Sequence, residues 1–282
     1  MANQNKKETT GKRTLSLALM MALCAALSLS GCSSIPAPNS VQSGTQPSGL
    51  IEDSQSASPQ AVSIEGSGYP KAEDAASAYL TALKETDIRG MIGAFAVETY
   101  VDHFDFEAQL SRVKAYGLVT EPGLPASNGF TRELNIYQRT GNIAASIRYQ
   151  YMTLFAPSSG VMDGAMRFLA SDDDISALTG LLGDPAYPES LRSLEIVKFI
   201  APEDLTEDYT SEANLKYIRK TALICGADEI KSIAASVKIK GQEYLFCFDA
   251  ANYGGKWYLI SFGGDIGVLL GLSGFSSGIM PQ

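Results

Sequence analysis

Three stretches near the C-terminus alternate apolar and polar side chains with a period of two, and short glycine-containing turns join them. Ile233, Ala235, Val237 and Ile239 share a face in the first, Tyr244, Phe246 and Phe248 in the second, and Tyr258, Ile260 and Phe262 in the third. Such alternation marks half-buried strands, because successive side chains of a strand point to opposite sides of the sheet. Lys240-Gly241 leaves room only for a tight hairpin turn, and Asn252-Tyr253-Gly254-Gly255 reverses the chain again. The pattern therefore demands an antiparallel meander with one aromatic-rich face, and helices must cover that face.

The helices are supplied upstream. Pro70 suits a first helical turn, and Ala72, Ala75, Ala76, Tyr79, Leu80 and Leu83 then recur at helical spacing over 71–85. Asp87 can cap a second helix with Ile88, Met91, Ile92 and Phe95 on one face. Asp105 can cap a third, which runs to Tyr116, stops at Gly117 and turns Phe106, Leu110 and Val113 inward. Thr131 to Phe155 reads as one long helix with Leu134, Tyr137, Ala144, Ile147, Tyr151 and Leu154 near one stripe, and Gly141 marks a candidate break. Residues 157–192 are least legible, with Asp172, Asp173 and Asp174 opening a short helix over Ile175 to Leu182. Ser193 to Ala201 is β-rich, Ser211 to Cys225 is helical and stopped by Gly226, and Asp265 to Leu272 is a short apolar helix or loop.

A different logic governs the N-terminus. Lys6, Lys7, Lys12 and Arg13 precede an almost uncharged Leu/Ala/Met-rich run from Leu15 to Leu29, which is the layout of a secretory signal. The run is shorter than the roughly 20 residues that a membrane-spanning helix needs. It closes in Leu29-Ser30-Gly31-Cys32, which resembles the bacterial lipoprotein signal. That resemblance implies diacylglycerol transfer to the Cys32 thiol, cleavage after Gly31, and palmitate-type chains holding the mature protein on the outer face of the cytoplasmic membrane. An ordinary signal peptide with an incidental cysteine is the alternative. Residues 32–68 are rich in Ser, Gln, Pro and Gly and contain no aromatic residue, so they read as a disordered tether.

Removing residues 1–31 takes away four basic residues and Glu8, leaving 18 basic against 30 acidic residues and a charge of −12. A domain this acidic does not bind nucleic acid through its general field, and it stands off anionic lipid, so membrane attachment is left to Cys32. Cys24 lies in the leader, which leaves Cys225 and Cys247 either as a candidate disulfide in an oxidising compartment or as two buried thiols.

Catalytic constellations are scarce. His103 is the single histidine, beside Asp102 and Asp105, in what reads as a helix-start loop where a surface or capping role is the ordinary outcome. One histidine and two cysteines make no zinc site, and Asp172–Asp174 lack the spacing of a calcium loop. No phosphate-binding loop or nucleophile elbow is present, and no cofactor is called for. Tyr244, Phe246, Phe248, Trp257 and Tyr258 either line an apolar pocket or simply fill the core.

Residues 79–95, Tyr-Leu-Thr-Ala-Leu-Lys-Glu-Thr-Asp-Ile-Arg-Gly-Met-Ile-Gly-Ala-Phe, are similar to the opening of nuclear transport factor 2-like (cystatin-like cone) domains, and Gly255-Lys256-Trp257-Tyr258-Leu259-Ile260 to their last strand. With the lipobox, the chain resembles uncharacterised Gram-positive lipoproteins carrying such domains. The resemblance implies an α+β fold, an antiparallel four-stranded curved sheet packed by N-terminal helices, in a single domain over 69–282; residues 98–192 depart from the simple cone as a helical insertion. It implies no enzyme signature. The expected function is binding of a small ligand or an envelope protein; an exported enzyme using carboxylates and Tyr in a cone pocket, or a structural envelope component, are the alternatives.

Overall fold

The computed structural model describes residues 63–117, 121–155, 169–272 and 274–282. The leader, Cys32 and the tether as far as residue 62 lie outside the described residues.

Ten α-helices and five strands are described. In chain order they are α1 (Ala72–Glu85), α2 (Ile88–Gly93), α3 (Glu98–His103), α4 (Phe106–Val113), α5 (Gly129–Phe155), α6 (Asp172–Leu182), α7 (Ala186–Leu191), β1 (Glu195–Ile200), α8 (Pro202–Leu205), α9 (Glu212–Cys225), β2 (Glu229–Ile239), β3 (Gln242–Tyr253), β4 (Lys256–Phe262), α10 (Gly264–Leu269) and β5 (Ile279–Pro281). The fold is α+β, with an antiparallel sheet in the order β1-β2-β3-β4 and a fifth strand, β5, added to β3 beside β4. Lys240 and Gly241, then Gly254 and Gly255, all have positive φ, which is what two-residue hairpins require.

One face of the sheet carries Ile233, Ala235, Val237 and Ile239 of β2 with Phe246 and Phe248 of β3, as the alternation predicts. Tyr79 of α1 stands edge-on to Phe95, Phe248 and Phe262 at ring-centroid distances of 5.8, 5.4 and 5.4 Å. This geometry suits the aromatic quadrupole, and it leaves the space between helix and sheet filled by rings. The opposite face is covered as well, by α9 through Ala222 and Cys225 and by α10 through Ile266.

Several sequence expectations change. Phe262 does not share a face with Tyr258 and Ile260: Asp249 pairs with Ser261 while Ala250 pairs with Leu259, so Ile260 is the extra residue of a bulge that flips the parity beyond it. Trp257 and Tyr258, consecutive in a strand, belong to clusters on opposite faces. Helix α4 ends at Val113 because Lys114 turns left-handed at φ 57°, and Val113 is exposed. Helix α5 is unbroken at Gly141. The segment 63–68 is part of the fold rather than of a tether. The backbone amides of Val97 and Thr99 donate to Glu65 at 2.6 and 2.9 Å, and those of Ile64 and Glu65 donate to Glu98 at 2.9 and 3.2 Å. Composition hid this reciprocal bracket, because two glutamates 33 residues apart carry no local periodicity.

Candidate functional site

The five aromatic residues considered for a pocket do not converge on one. Phe246 and Phe248 are wholly buried, Trp257 and Tyr258 nearly so on opposite faces, and Tyr244 packs at the margin of the core. The space a cone would offer to a ligand is thus occupied by the protein's own rings. Two openings lie instead beside α5.

The first is a polar cleft of about 210 Å³ lined by Glu121, Arg139, Asn142, Ser146, Ser261 and neighbouring residues. Arg139 projects from α5 into the interior and is 4% exposed. It donates to Ala96 O at 2.5 Å, to Glu121 Oε1 at 2.8 Å and to Ile260 O at 3.1 Å, and its guanidinium lies 3.7 Å from the Tyr100 ring centroid. The Ile260 carbonyl is the one freed by the β4 bulge, so the guanidinium satisfies a group the sheet leaves behind. Asn142 Nδ2 donates to the other oxygen of Glu121 at 2.5 Å. With its donors committed in this way, Arg139 knits loop, sheet and helix rather than offering a binding valence.

The second opening is an apolar groove of about 320 Å³ between α1–α2, α5 and α7. Leu83, Met91, Ile147 and Leu191 form its floor, and Ala144, Arg148 and Tyr151 edge it along α5. Short side chains at Ala144 and Thr86 leave the gap between these helices unfilled. Among its lining residues only Arg148 and Tyr151 carry an ionisable side chain, so the groove is shaped for an apolar group rather than for proton transfer.

Two carboxylates do approach each other, on the far face of the sheet. Asp249 accepts from Ser232 Oγ at 2.7 Å and from the Asp265 amide at 3.0 and 3.2 Å, and Asp265 accepts from Asn214 Nδ2 at 2.6 Å. Burial pushes the Asp249 carboxyl up to about 6, and burial also raises Asp265. Gly264 arches over the pair at φ 57°, and a Cβ there would fall 2.3 Å from Asp249 Oδ1. The backbone thus seals the carboxylate, which anchors the start of α10.

The remaining sequence candidates separate. The His103 ring meets Thr99 O at 2.8 Å and lies tilted against Tyr253 at a centroid distance of 5.2 Å, while Asp102 pairs with Arg132 at 2.5 Å and Asp105 accepts from the Ala108 amide at 2.8 Å. Asp174 completes a capping box with Ser171 at the start of α6. Cys225 and Cys247 are free buried thiols in separate clusters, not a disulfide, and burial drives them to about 11 and about 12, which keeps them protonated and unreactive. Sequence reasoning missed Arg139, Asn135 and Gln150, the buried polar residues of α5; the available signal was their spacing among Ile136, Ile143, Ile147 and Leu154.

No family model and no curated protein matches the chain. Among solved structures it is similar to a cystatin-like protein from Ruminococcus gnavus ATCC 29149, with 14% identity and a TM-score of 0.48, over 74% of this chain and 44% of that one. The chain thus spans less than half of that neighbour's length.

Proposed function

We propose that this chain is a lipid-anchored, extracytoplasmic binding domain of the nuclear transport factor 2-like (cystatin-like cone) type, of the kind carried by Gram-positive lipoproteins. Its contact site is the apolar groove beside α5, and the group it takes is an apolar side chain of a protein. The observation that carries this reading is the contrast between a sheet–helix interior filled by Tyr79, Phe95, Phe246 and Phe248 and an outward groove with an apolar floor. A filled interior excludes small molecules from the place where a cone would hold them, and a shallow apolar groove suits a side chain delivered by a partner. Attachment to the outer face of the membrane rests on Leu29-Ser30-Gly31-Cys32, and the acidity of the remainder leaves acylated Cys32 as the membrane contact.

Two measurements test this. Native mass spectrometry of the full chain extracted from membranes in mild detergent should show a stoichiometric protein companion, lost in Ala144→Arg, which fills the groove with a charge. A bound molecule of a few hundred daltons that survives Ala144→Arg would sink the reading. Cys32→Ala should abolish lipid labelling and release the chain from membranes, and unchanged labelling would reject the anchor.

A further inference from the structure

Helix α5 turns an apolar stripe to solvent. Phe130, Leu134 and Tyr137 are 71%, 42% and 65% exposed, and the stripe continues through Gly141, Ala144 and Arg148. The steps between these six positions alternate four and three residues, the 3.5-residue period of a seam that faces another helix. Gly141 adds an independent sign. A Cβ built there meets nothing within 4 Å, so nothing among the described residues of the chain requires a glycine in the middle of this helix, where glycine is unfavourable.

We propose that this stripe and the groove beside it form a two-fold interface between two copies of this chain, with the two α5 helices antiparallel and Phe130 of each copy seated in the groove of the other. The proposal rests on the groove reading above and names its partner. Its support is complementarity read along the stripe. An antiparallel pair that sets Tyr137 against Gly141 also sets Leu134 against Ala144 and Phe130 against Arg148, so every layer matches a large side chain with a small one or a ring with a guanidinium. A parallel pair would set Phe130 on Phe130 and Gly141 on Gly141, clashing at one end and leaving voids at the other. The hole that receives a knob is made by residues i, i+3, i+4 and i+7 of the facing helix. At the Phe130 layer those are Ala144, Ile147, Arg148 and Tyr151, the α5 residues that line the groove. Charge agrees: Glu133 flanks Phe130 and so meets the end of the facing helix that carries Arg148, and neither residue forms an ion pair among the described residues. A stripe that is its own complement under a two-fold axis is what an isologous dimer requires.

Sedimentation of the full chain in mild detergent tests the proposal. We expect a dimer mass that halves in Leu134→Arg, with the thermal unfolding midpoint unchanged only at dilution where neither chain dimerises, and a disulfide between co-expressed Tyr137→Cys and Gly141→Cys copies on oxidation with copper phenanthroline. A monomer at high micromolar concentration, or a dimer that survives Leu134→Arg, overturns the proposal. The groove reading fails separately. A dimer that dissociates in Leu134→Arg but tolerates both Phe130→Ala and Ala144→Arg overturns the seating of Phe130. A monomeric chain whose protein companion is still lost in Ala144→Arg overturns the two-fold interface while leaving the groove in use.

Discussion

Helices α1 and α5 contribute to the same core cluster, yet they treat polarity in opposite ways. Helix α1 buries Ala75, Ala76, Tyr79, Leu80 and Leu83 and turns Glu73, Asp74 and Lys84 to solvent. Helix α5 buries Asn135, Arg139 and Gln150 among its aliphatics and exposes Phe130, Leu134 and Tyr137. The inward polar groups persist because each finds partners. Asn135 exchanges hydrogen bonds with the backbone of Leu124 at 2.7 and 3.3 Å, and Gln150 accepts from Tyr79 Oη at 2.5 Å and donates to Ser277 O at 2.8 Å. A helix against regular sheet can be apolar, whereas one against loops and a bulge must satisfy unpaired backbone groups. The outward apolar groups have no such intramolecular reason among the described residues, and the proposed interface is built on that difference.

The contrast can be broken by exchanging the chemistries, and the largest effect is expected at Arg139. Arg139→Leu removes the cationic partner of Glu121, leaving it only Asn142, and leaves the Ala96 and Ile260 carbonyls unsatisfied in the interior. A loss of about 3–5 kcal/mol is expected in urea unfolding, as for breaking a buried pair. A loss under about 1 kcal/mol would show that water replaces the guanidinium without penalty.

Asp249 sharpens the contrast, because it is a buried carboxyl that forms no ion pair among the described residues. Its folded-state value lies above the unfolded one, so the folded chain binds the extra proton between about 4 and about 6. Stability should rise as pH falls through that window, by at most about 3 kcal/mol, and level off below it; Asp265 shifts in the same direction. Unfolding titrations should show this slope in the native chain and a flatter one in Asp249→Asn.

Gln150 and Tyr79 form the one side-chain bond that joins the two helices directly among the described residues. Gln150→Leu alone should cost about 1–3 kcal/mol by stranding Tyr79 Oη and Ser277 O, whereas pairing it with Tyr79→Phe should recover part of that loss. A double variant as unstable as the single losses combined would mean that the two groups act independently. The smallest effect is expected at Gly141. With open space around it, Gly141→Ala should stabilise the separated chain by up to about 1 kcal/mol, read from the unfolding midpoint at dilution where no dimer forms. Destabilisation there would reveal a neighbour that the open space does not show.

The meander was legible because its signals are local: period two along each run, and glycines where two-residue turns need positive φ. Helix caps were legible for the same reason, with Asp87 and Asp105 each accepting from a backbone amide three residues on. The candidate site was not legible, and α5 shows why. Its sequence carries two apolar stripes, one through Phe130, Leu134 and Tyr137 and one through Ile136, Ile143, Ile147 and Leu154, and a sequence pattern favours neither. The single stripe expected through Leu134, Tyr137, Ala144, Ile147, Tyr151 and Leu154 divides in the fold: Ile147 and Leu154 are buried, whereas Leu134, Tyr137 and Ala144 are exposed. The choice belongs to Ala96, Ile260 and Ser277, whose backbone carbonyls draw the polar stripe in from positions far along the chain.

What the amino-acid sequence determined by itself was whatever depends on neighbours along the chain: which runs are strands, where helices begin, the acidity of the domain, and the basic, apolar and cysteine-ended leader that motivates a lipid anchor. Tertiary structure alone decided that Ile260 bulges and turns Phe262 back to the core, that Glu65 and Glu98 bracket the start of the domain, and that the apolar groove lies outside the sheet–helix interior rather than within it. The physical reason is the same each time. A strand's alternation or a helix's stripe states how side chains are grouped, but which group is buried depends on contacts between segments distant in sequence, and those contacts exist only once the chain has folded.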